Sequence, residues 1–373
     1  MNWKIPLFKM YWDSEDITQV TDVLRAGRNW ALGPQIPAFE TMISEYIGTR
    51  YCLTFNSGTS ALHAALLAYG IGPGDEVIVP SFTFIATANA PKFVGAVPVF
   101  ADIEDRTFGL DPADVEEKIT PRTKAIIPVH YGGTPCQIRE LKRIADDHGL
   151  IMIEDAAEAF GAQLNDRMVG TFGDSAIMSF CQNKIIATGE GGAIVTDNRD
   201  LFEKMKLIRS HGRPDTVDYF STTEVLDYIS LGYNFRMSTM TAALGIAQLK
   251  KVEQIIAKRR SDAEYLQKKL RLIPGISVPD DDPERFSVYQ LFSIAAKKRD
   301  GLIKYLTSKG IMTKIYFTPV HKTHYYQNVL GYTCSLPVTE SVANEIISLP
   351  FFPGISKDEM DCVIQAIEEF EAL

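Results

Sequence analysis

Cysteine is scarce and scattered in this chain. The five residues, Cys52, Cys136, Cys181, Cys334 and Cys362, lie far apart and form no C-x-x-C pair. That spacing excludes a disulfide framework and a cysteine-based zinc site, and predicts reduced thiols in a cytoplasmic protein. No stretch reaches the roughly 18 apolar residues of a membrane-spanning helix, and the opening Met1-Asn-Trp-Lys-Ile-Pro6 has no apolar signal core. Runs of Lys and Arg are missing as well. With a formal net charge of −9, neither nucleic acid nor an anionic membrane is expected as the main partner. The segment Thr188-Gly-Glu-Gly-Gly192 has neither P-loop spacing nor the second half of G-x-G-x-x-G, and no G-x-S-x-G elbow occurs. No His/Cys cluster accompanies the acidic residues, so no metal centre is expected. Internal repeats and low-complexity linkers are absent too.

What is present is ordinary globular sequence, 46% hydrophobic and 23% charged over 373 residues. That length suggests two domains, or three, each with its own core. Apolar β-rich runs at Glu76–Val79, Val97–Phe100, Ala125–Val129, Ile151–Glu154, Ser175–Phe180 and Ala193–Thr196 alternate with helical patterns at Gln35–Tyr46, Ser60–Ala68, Pro112–Ile119 and Gln137–His148. Alternation of this kind predicts βαβ units and a mostly parallel sheet covered on both faces. The pattern changes after Arg236. Thr239–Leu270 reads as long helical sequence, followed by strands at Tyr289–Ala296 and Met312–Tyr316 and helices at Arg299–Lys309 and Lys357–Phe370. The expected division is a large α/β domain over residues 1–250 and a smaller α+β domain over 251–373. The N-terminal segment is free to pack on the small domain.

Lys184 carries the chemistry. It sits in Met178-Ser-Phe-Cys-Gln-Asn-Lys184-Ile-Ile-Ala-Thr-Gly-Glu-Gly-Gly192, an apolar segment running into a Gly-rich turn. A lysine there either snorkels to solvent or loses its charge, for example by condensing with an aldehyde. In open parallel sheets ligands bind at strand carboxyl ends and helix N-termini, and four features converge there. Asn56-Ser-Gly58-Thr59-Ser60 precedes a helix and offers backbone N–H groups to a phosphate, or is a plain N-cap. Ile151-Met-Ile-Glu-Asp155-Ala-Ala-Glu158 ends a strand in carboxylates able to hold a protonated pyridine nitrogen, or to cap a helix. Ser179 ends the strand before Lys184 and either bonds the same phosphate or is satisfied by backbone. Phe84 follows the strand Glu76–Val79 and either stacks on a planar ring or is core. An aldehyde, a pyridine nitrogen and a phosphate together describe pyridoxal 5'-phosphate (PLP), an electron sink for amine chemistry.

In this order the segments resemble the PLP-dependent sugar aminotransferases of the DegT/DnrJ/EryC1/StrS family. The matching stretches are Asn56-Ser-Gly-Thr-Ser-Ala-Leu-His63, Gly72-Pro-Gly-Asp-Glu-Val-Ile-Val-Pro80, Ile153-Glu-Asp-Ala-Ala-Glu158, Ser179-Phe-x-x-x-Lys184 and Leu231-Gly-Tyr-Asn-Phe-Arg-Met-Ser238, then Tyr316-Phe-Thr-Pro-Val-His321 and Ser348-Leu-Pro350. The resemblance implies the fold-type I (aspartate aminotransferase-like) architecture and a homodimer with shared sites. By it Lys184 is the cofactor-bearing lysine and Asp155 the partner of the pyridine nitrogen. Gly58, Thr59 and Ser179 are the phosphate cradle, Phe84 the stacking aromatic, and Asn234 an asparagine lent to the neighbouring subunit's phosphate. Glu158 falls where the family often has Gln or His facing the ring hydroxyl, a variation seen in perosamine-synthase-type members. Sugar 3-dehydratases of the family carry His at the lysine position, so Lys184 disfavours that branch.

The implied reaction moves an amino group from L-glutamate to a keto group of a nucleotide-linked sugar, with a 4-keto-6-deoxy sugar as one candidate. A cyclitol or other ketone is the alternative within PLP chemistry, and a non-catalytic regulatory protein the alternative outside it. Trp30, Tyr316 and His321 are the substrate-side candidates, weighed against interface packing for Trp30 and a satisfied core or surface histidine for His321.

Overall fold

A computed structural model describes residues 3–214, 222–223, 225–280 and 282–373. The chain opens with helices α1 (Ser14–Ala26) and α2 (Gln35–Ile47), then alternates β1 (Tyr51–Phe55), α3 (Gly58–Ala68), β2 (Glu76–Pro80), α4 (Ile85–Phe93), β3 (Val97–Ala101), α5 (Pro112–Glu117), β4 (Thr123–Ile126), α6 (Ile138–His148) and β5 (Ile151–Asp155). A short hairpin, β6 (Gln163–Leu164) and β7 (Arg167–Met168), precedes β8 (Ser175–Ser179), β9 (Gly192–Thr196) and α7 (Arg199–Arg209). The main sheet is seven-stranded, in the order β1-β9-β8-β5-β4-β2-β3. Its pairings from β8 through β3 are parallel, and β9 alone runs against its neighbours β8 and β1.

Strand alternation distributes the apolar side chains to both faces. Val77, Val79, Ile153, Ile177 and Ile194 join Leu62 and Leu66 of α3 and Leu201 and Met205 of α7 in one core. On the opposite face Ile78, Ile126 and Met152 meet Leu141 and Ile144 of α6. Further along that face Met178, Ala193 and Val195 pack with Phe39 and Ile43 of α2. Each such buried Ile, Val or Leu contributes about 1.5–3 kcal/mol. The expected α/β class, with a mostly parallel sheet clothed on both sides, is the observed one.

After α8 (Thr239–Leu249) comes the long α9 (Val252–Leu270). Beyond it lie β10 (Ile276–Ser277), β11 (Arg285–Phe286), β12 (Ser293–Ala296), α10 (Arg299–Ser308), α11 (Pro337–Glu345), β13 (Ile346–Ser348) and α12 (Lys357–Glu371). A second, three-stranded sheet runs β10-β12-β13, and β11 joins the β6–β7 hairpin. The core around this second sheet takes in Ile294, Ile347, Leu302 and Ile364, and also Ile5 from the N-terminal segment. Helix α9 serves both cores: Val252, Ile255 and Ile256 lie in the first, Ala263, Leu266 and Leu270 in the second.

Three expected elements differ. The single helical stretch Thr239–Leu270 is two helices. It breaks at Lys250 and Lys251, where Lys251 turns inward and its Nζ meets Asp16 at 2.6 Å and Asp13 at 2.7 Å. Those carboxylates form the capping box of α1, so the break ties two helices together. The strand expected from Tyr289 begins only at Ser293, because Tyr289 adopts φ 48°, outside extended geometry. Met312–Tyr316 is not a strand: isolated bridges join Ile311 to Ile5 and Lys314 to Ser348.

Candidate active site

The carboxyl ends of β5 and β8 and the first turn of α3 meet at one edge of the main sheet, beside the loop 180–191 that joins β8 to β9. They border a cleft of about 480 Å³. Gly58, Thr59, Phe84, Asp155, Glu158, Ser179, Lys184 and Tyr316 all line it.

Glu154 and Asp155 end β5 on opposite faces, as successive strand residues must. Asp155 faces α4. Its Oδ2 accepts the Thr87 hydroxyl at 2.7 Å, and its Oδ1 the Ala157 N–H at 3.2 Å. Thr87 in turn lies 2.9 Å from Thr83 Oγ1. Burial pushes the Asp155 carboxyl above the usual carboxylate range, and the Thr87 hydrogen bond opposes that. Among the described residues Thr87 and Ala157 are its side-chain hydrogen-bond donors.

Lys184 Nζ lies 3.3 Å from Glu158 Oε1. The other Glu158 oxygen accepts the Gly132 N–H at 2.9 Å, which fixes the carboxylate. Tyr316 closes the wall. Its phenol is pushed up by burial and then by the Glu158 charge, and so stays protonated.

The start of α3, where the sequence predicts a phosphate cradle, depends on close backbone approach. Ser57 caps α3, accepting from Ser60 N at 3.1 Å, and the N–H groups of Gly58 and Thr59 precede the helix's own bonding. A Cβ on Gly192 would sit 2.4 Å from Gly58 N, and one on Gly58 would sit 3.3 Å from Ser179 Cβ. Only glycine at 192 lets β9 pass the helix terminus, which leaves Ser179 facing the same cradle. Phe84 is 60% exposed at the start of α4, 6.2 Å from the Phe317 ring, with its face free for a planar ligand.

Three sequence-selected residues lie elsewhere in this protomer. Asn234 is exposed, and its backbone oxygen lies 3.4 Å from Asn56 Nδ2. Trp30 is half exposed and donates to Val23 O at 3.2 Å. His321 is buried outside the cleft, with Nδ1 2.6 Å from Ser81 Oγ and Nε2 3.2 Å from Glu340. Burial lowers its pKa, the pattern of a satisfied core histidine. Sequence reasoning missed Thr87. The signal available was its position one helical turn after Phe84.

Unclaimed helix N–H groups beside a serine, a buried carboxylate, a lysine in the same cleft and an exposed aromatic face fit the phosphate, pyridine nitrogen, aldehyde and ring of PLP. The fold and this donor set define a PLP-dependent aminotransferase. The comparisons agree. Residues 11–368 match the DegT/DnrJ/EryC1/StrS aminotransferase family, and the chain belongs to it. It is 39% identical to the GDP-perosamine synthase of Caulobacter vibrioides over 91% of each chain. The solved structure of DesV from S. venezuelae is 34% identical, covers 99% of both chains and superposes with TM-score 0.90. The PLP form of the sugar aminotransferase Spr1654 from Streptococcus pneumoniae, described as putative, is 25% identical, covers 99% of this chain and 98% of that one, and superposes with TM-score 0.92. This chain is a sugar aminotransferase by family. No helix among its described residues is long and apolar enough to cross a membrane.

Proposed function

We propose that the protein moves an amino group from L-glutamate to a keto group of a nucleotide-linked sugar, with a 4-keto-6-deoxy sugar as the first substrate to try. The observation that carries the reading is the convergence of Lys184, Glu158 and Asp155 in one cleft with the α3 terminus. When bound, PLP supplies an electron sink for charge developing on the carbon that carries the amine. Lys184 holds the cofactor at rest, and its Nζ carries the proton once released. Glu158, 3.3 Å away, orients that ammonium. Asp155 holds its negative charge against the pyridine nitrogen, and Thr87 keeps the carboxylate aimed. Gly58, Thr59 and Ser179 bind the phosphate, and Phe84 covers the ring.

The reading includes a two-fold dimer. Asn234 is exposed and does not line its own subunit's cleft, and in a C₂ pair it reaches the partner's phosphate. Trp30 and Tyr316 are proposed to border the sugar. His321, buried among its own partners, is set aside.

Two measurements test the reading. Purified protein is incubated with L-glutamate alone and then with a panel of nucleotide-linked 4-keto sugars. Formation of 2-oxoglutarate, then of an amino sugar in which an amine has replaced the keto oxygen, is the expected result. Absence of 2-oxoglutarate overturns the donor, and absence of every amino sugar overturns the acceptor class. Mixing Lys184→Ala with Asn234→Ala subunits tests the dimer. In the heterodimer one site carries both lesions and the other neither, so activity should return. No return after demonstrated subunit exchange rejects the trans role.

A further inference from the structure

Both proposed substrates are anions, and the cleft that must receive them is mostly acidic. Its charged lining is Asp155, Glu158, Glu190, Lys184 and Lys314. Lys184 is committed to Glu158 at 3.3 Å and, on the proposed function, to the cofactor. A carboxylate or phosphate entering such a space meets like charge unless a cation is free to receive it.

Lys314 is free. Among the described residues its ammonium makes no ion pair, and the contact it does make is with an aromatic ring. Its backbone is anchored: its N–H donates to Ser348 O at 3.2 Å, and its carbonyl accepts the Ser348 N–H at 2.8 Å. Ser348 ends β13, so the lysine stem starts from the edge of the second sheet. The ammonium lies 4.9 Å from the centroid of Tyr316, a ring already in the cleft wall, and this holds the charge at the cleft instead of in bulk water. The side chain is exposed on the cleft side, and so it reaches a ligand without displacing protein.

We infer that Lys314, held by Ser348 and Tyr316, is the docking cation for the anionic oxygens of the substrates. The inference rests on the proposed function and names a specificity residue for it. The shared ligand chemistry is a carboxylate of the amino donor or the diphosphate of the nucleotide. An exposed ion pair of this kind changes affinity about two- to fivefold, falling as salt screens it.

The test uses the holoenzyme as wild type, Lys314→Met, Lys314→Arg and Lys314→Glu. Binding of glutarate and of inorganic diphosphate is measured by calorimetry at low and high salt, beside kcat and KM for each half-reaction. Lys314→Met should weaken one probe or both by about two- to fivefold, Lys314→Arg should restore it, and Lys314→Glu should weaken it further. The KM of the matching half-reaction should rise while its kcat stays within about twofold. Loss of glutarate alone assigns the donor carboxylate, and loss of diphosphate alone assigns the nucleotide. Unchanged binding of both probes in Lys314→Met overturns the inference, even though a wild type that forms 2-oxoglutarate leaves the proposed function standing. A wild type that takes no amino group from glutamate overturns the donor reading instead, whatever Lys314 does.

Discussion

The end of β5 divides two regions that treat a carboxylate in opposite ways. On one face Glu154 is wholly buried and receives Gly170 N at 2.8 Å, Phe172 N at 2.7 Å, Gly173 N at 2.6 Å and His130 Nε2 at 3.1 Å. On the other, Asp155 has, among the described residues, only Thr87 and Ala157 as donors and opens on the cleft. The first region uses a charge to tie a turn to the sheet, with every lone pair engaged. The second keeps a charge short of partners, which is unfavourable for the bare fold and useful once a cation arrives. Adjacent positions, one residue apart, thus separate stability from chemistry.

The largest effect belongs to the cleft side. Lys184→Ala should cut turnover at least about 10³-fold while the protein stays folded without cofactor. Multiple turnovers by the purified variant would remove Lys184 from the chemistry.

The same amide replacement at the two acids sharpens the contrast. Glu154→Gln puts an NH₂ group against backbone donors that have no other acceptor. Chemical unfolding should show a loss of about 2–4 kcal/mol, with activity following the folded fraction. A variant as stable as wild type would mean the Glu154 network is incidental.

Asp155→Asn should do the reverse. The amide can donate to Thr87, which then donates to Thr83, and its oxygen still accepts Ala157 N–H, so the network survives. Turnover should fall about 10²–10³-fold. Stability without cofactor should rise, and the sign follows from the pKa. Burial raises the Asp155 carboxyl in the folded state, so its favourable contribution is complete below the unfolded carboxylate pKa of about 3.9. That contribution is lost as pH rises through the folded value. The variant's advantage should therefore be visible at pH 8 and shrink in acid. Wild-type activity in Asp155→Asn, or lower stability at pH 8, would erase the distinction between the two faces.

Thr87→Val is the smallest probe. Without its hydroxyl the Asp155 carboxyl moves further up, and the acid limb of the pH–rate profile should shift to higher pH with about a tenfold loss of kcat. Thr87→Ser should restore both. A profile that stays in place would show that Thr87 only fills space.

How far the sequence foretold this depends on what each residue answers to. The strand expected at Ile151–Glu154 was legible because its apolar run answers to burial, and the start of α3 because a serine cap just before a helical run has a local signature. The alternation that sends Glu154 and Asp155 to opposite faces is a rule of strands, yet the turn at Gly170–Gly173 that satisfies Glu154 is local neither to it nor to any motif. Thr87 left only its position one helical turn after Phe84 as a signal, since a threonine inside a helix has no periodic signature of its own. His321 sat in a matching motif, and only the fold showed its two ring nitrogens already engaged. The helix break at Lys251 depends on carboxylates some 235 residues earlier, a contact no window reveals.

Helix α9 has a consequence for how this chain can change. One rigid rod supplies Ile255 to one core and Leu266 to the other, so its length and phase are fixed at both ends. Inserting a single residue between them would turn everything downstream by about 100° and face Leu266, Leu270 and the second sheet the wrong way. Exchange of segments with relatives should succeed at the surface turns and fail inside this rod, even where the spliced sequences look alike. A lineage can therefore tune the walls of the cleft residue by residue, but it cannot re-aim one half of the molecule against the other by altering the span that joins them.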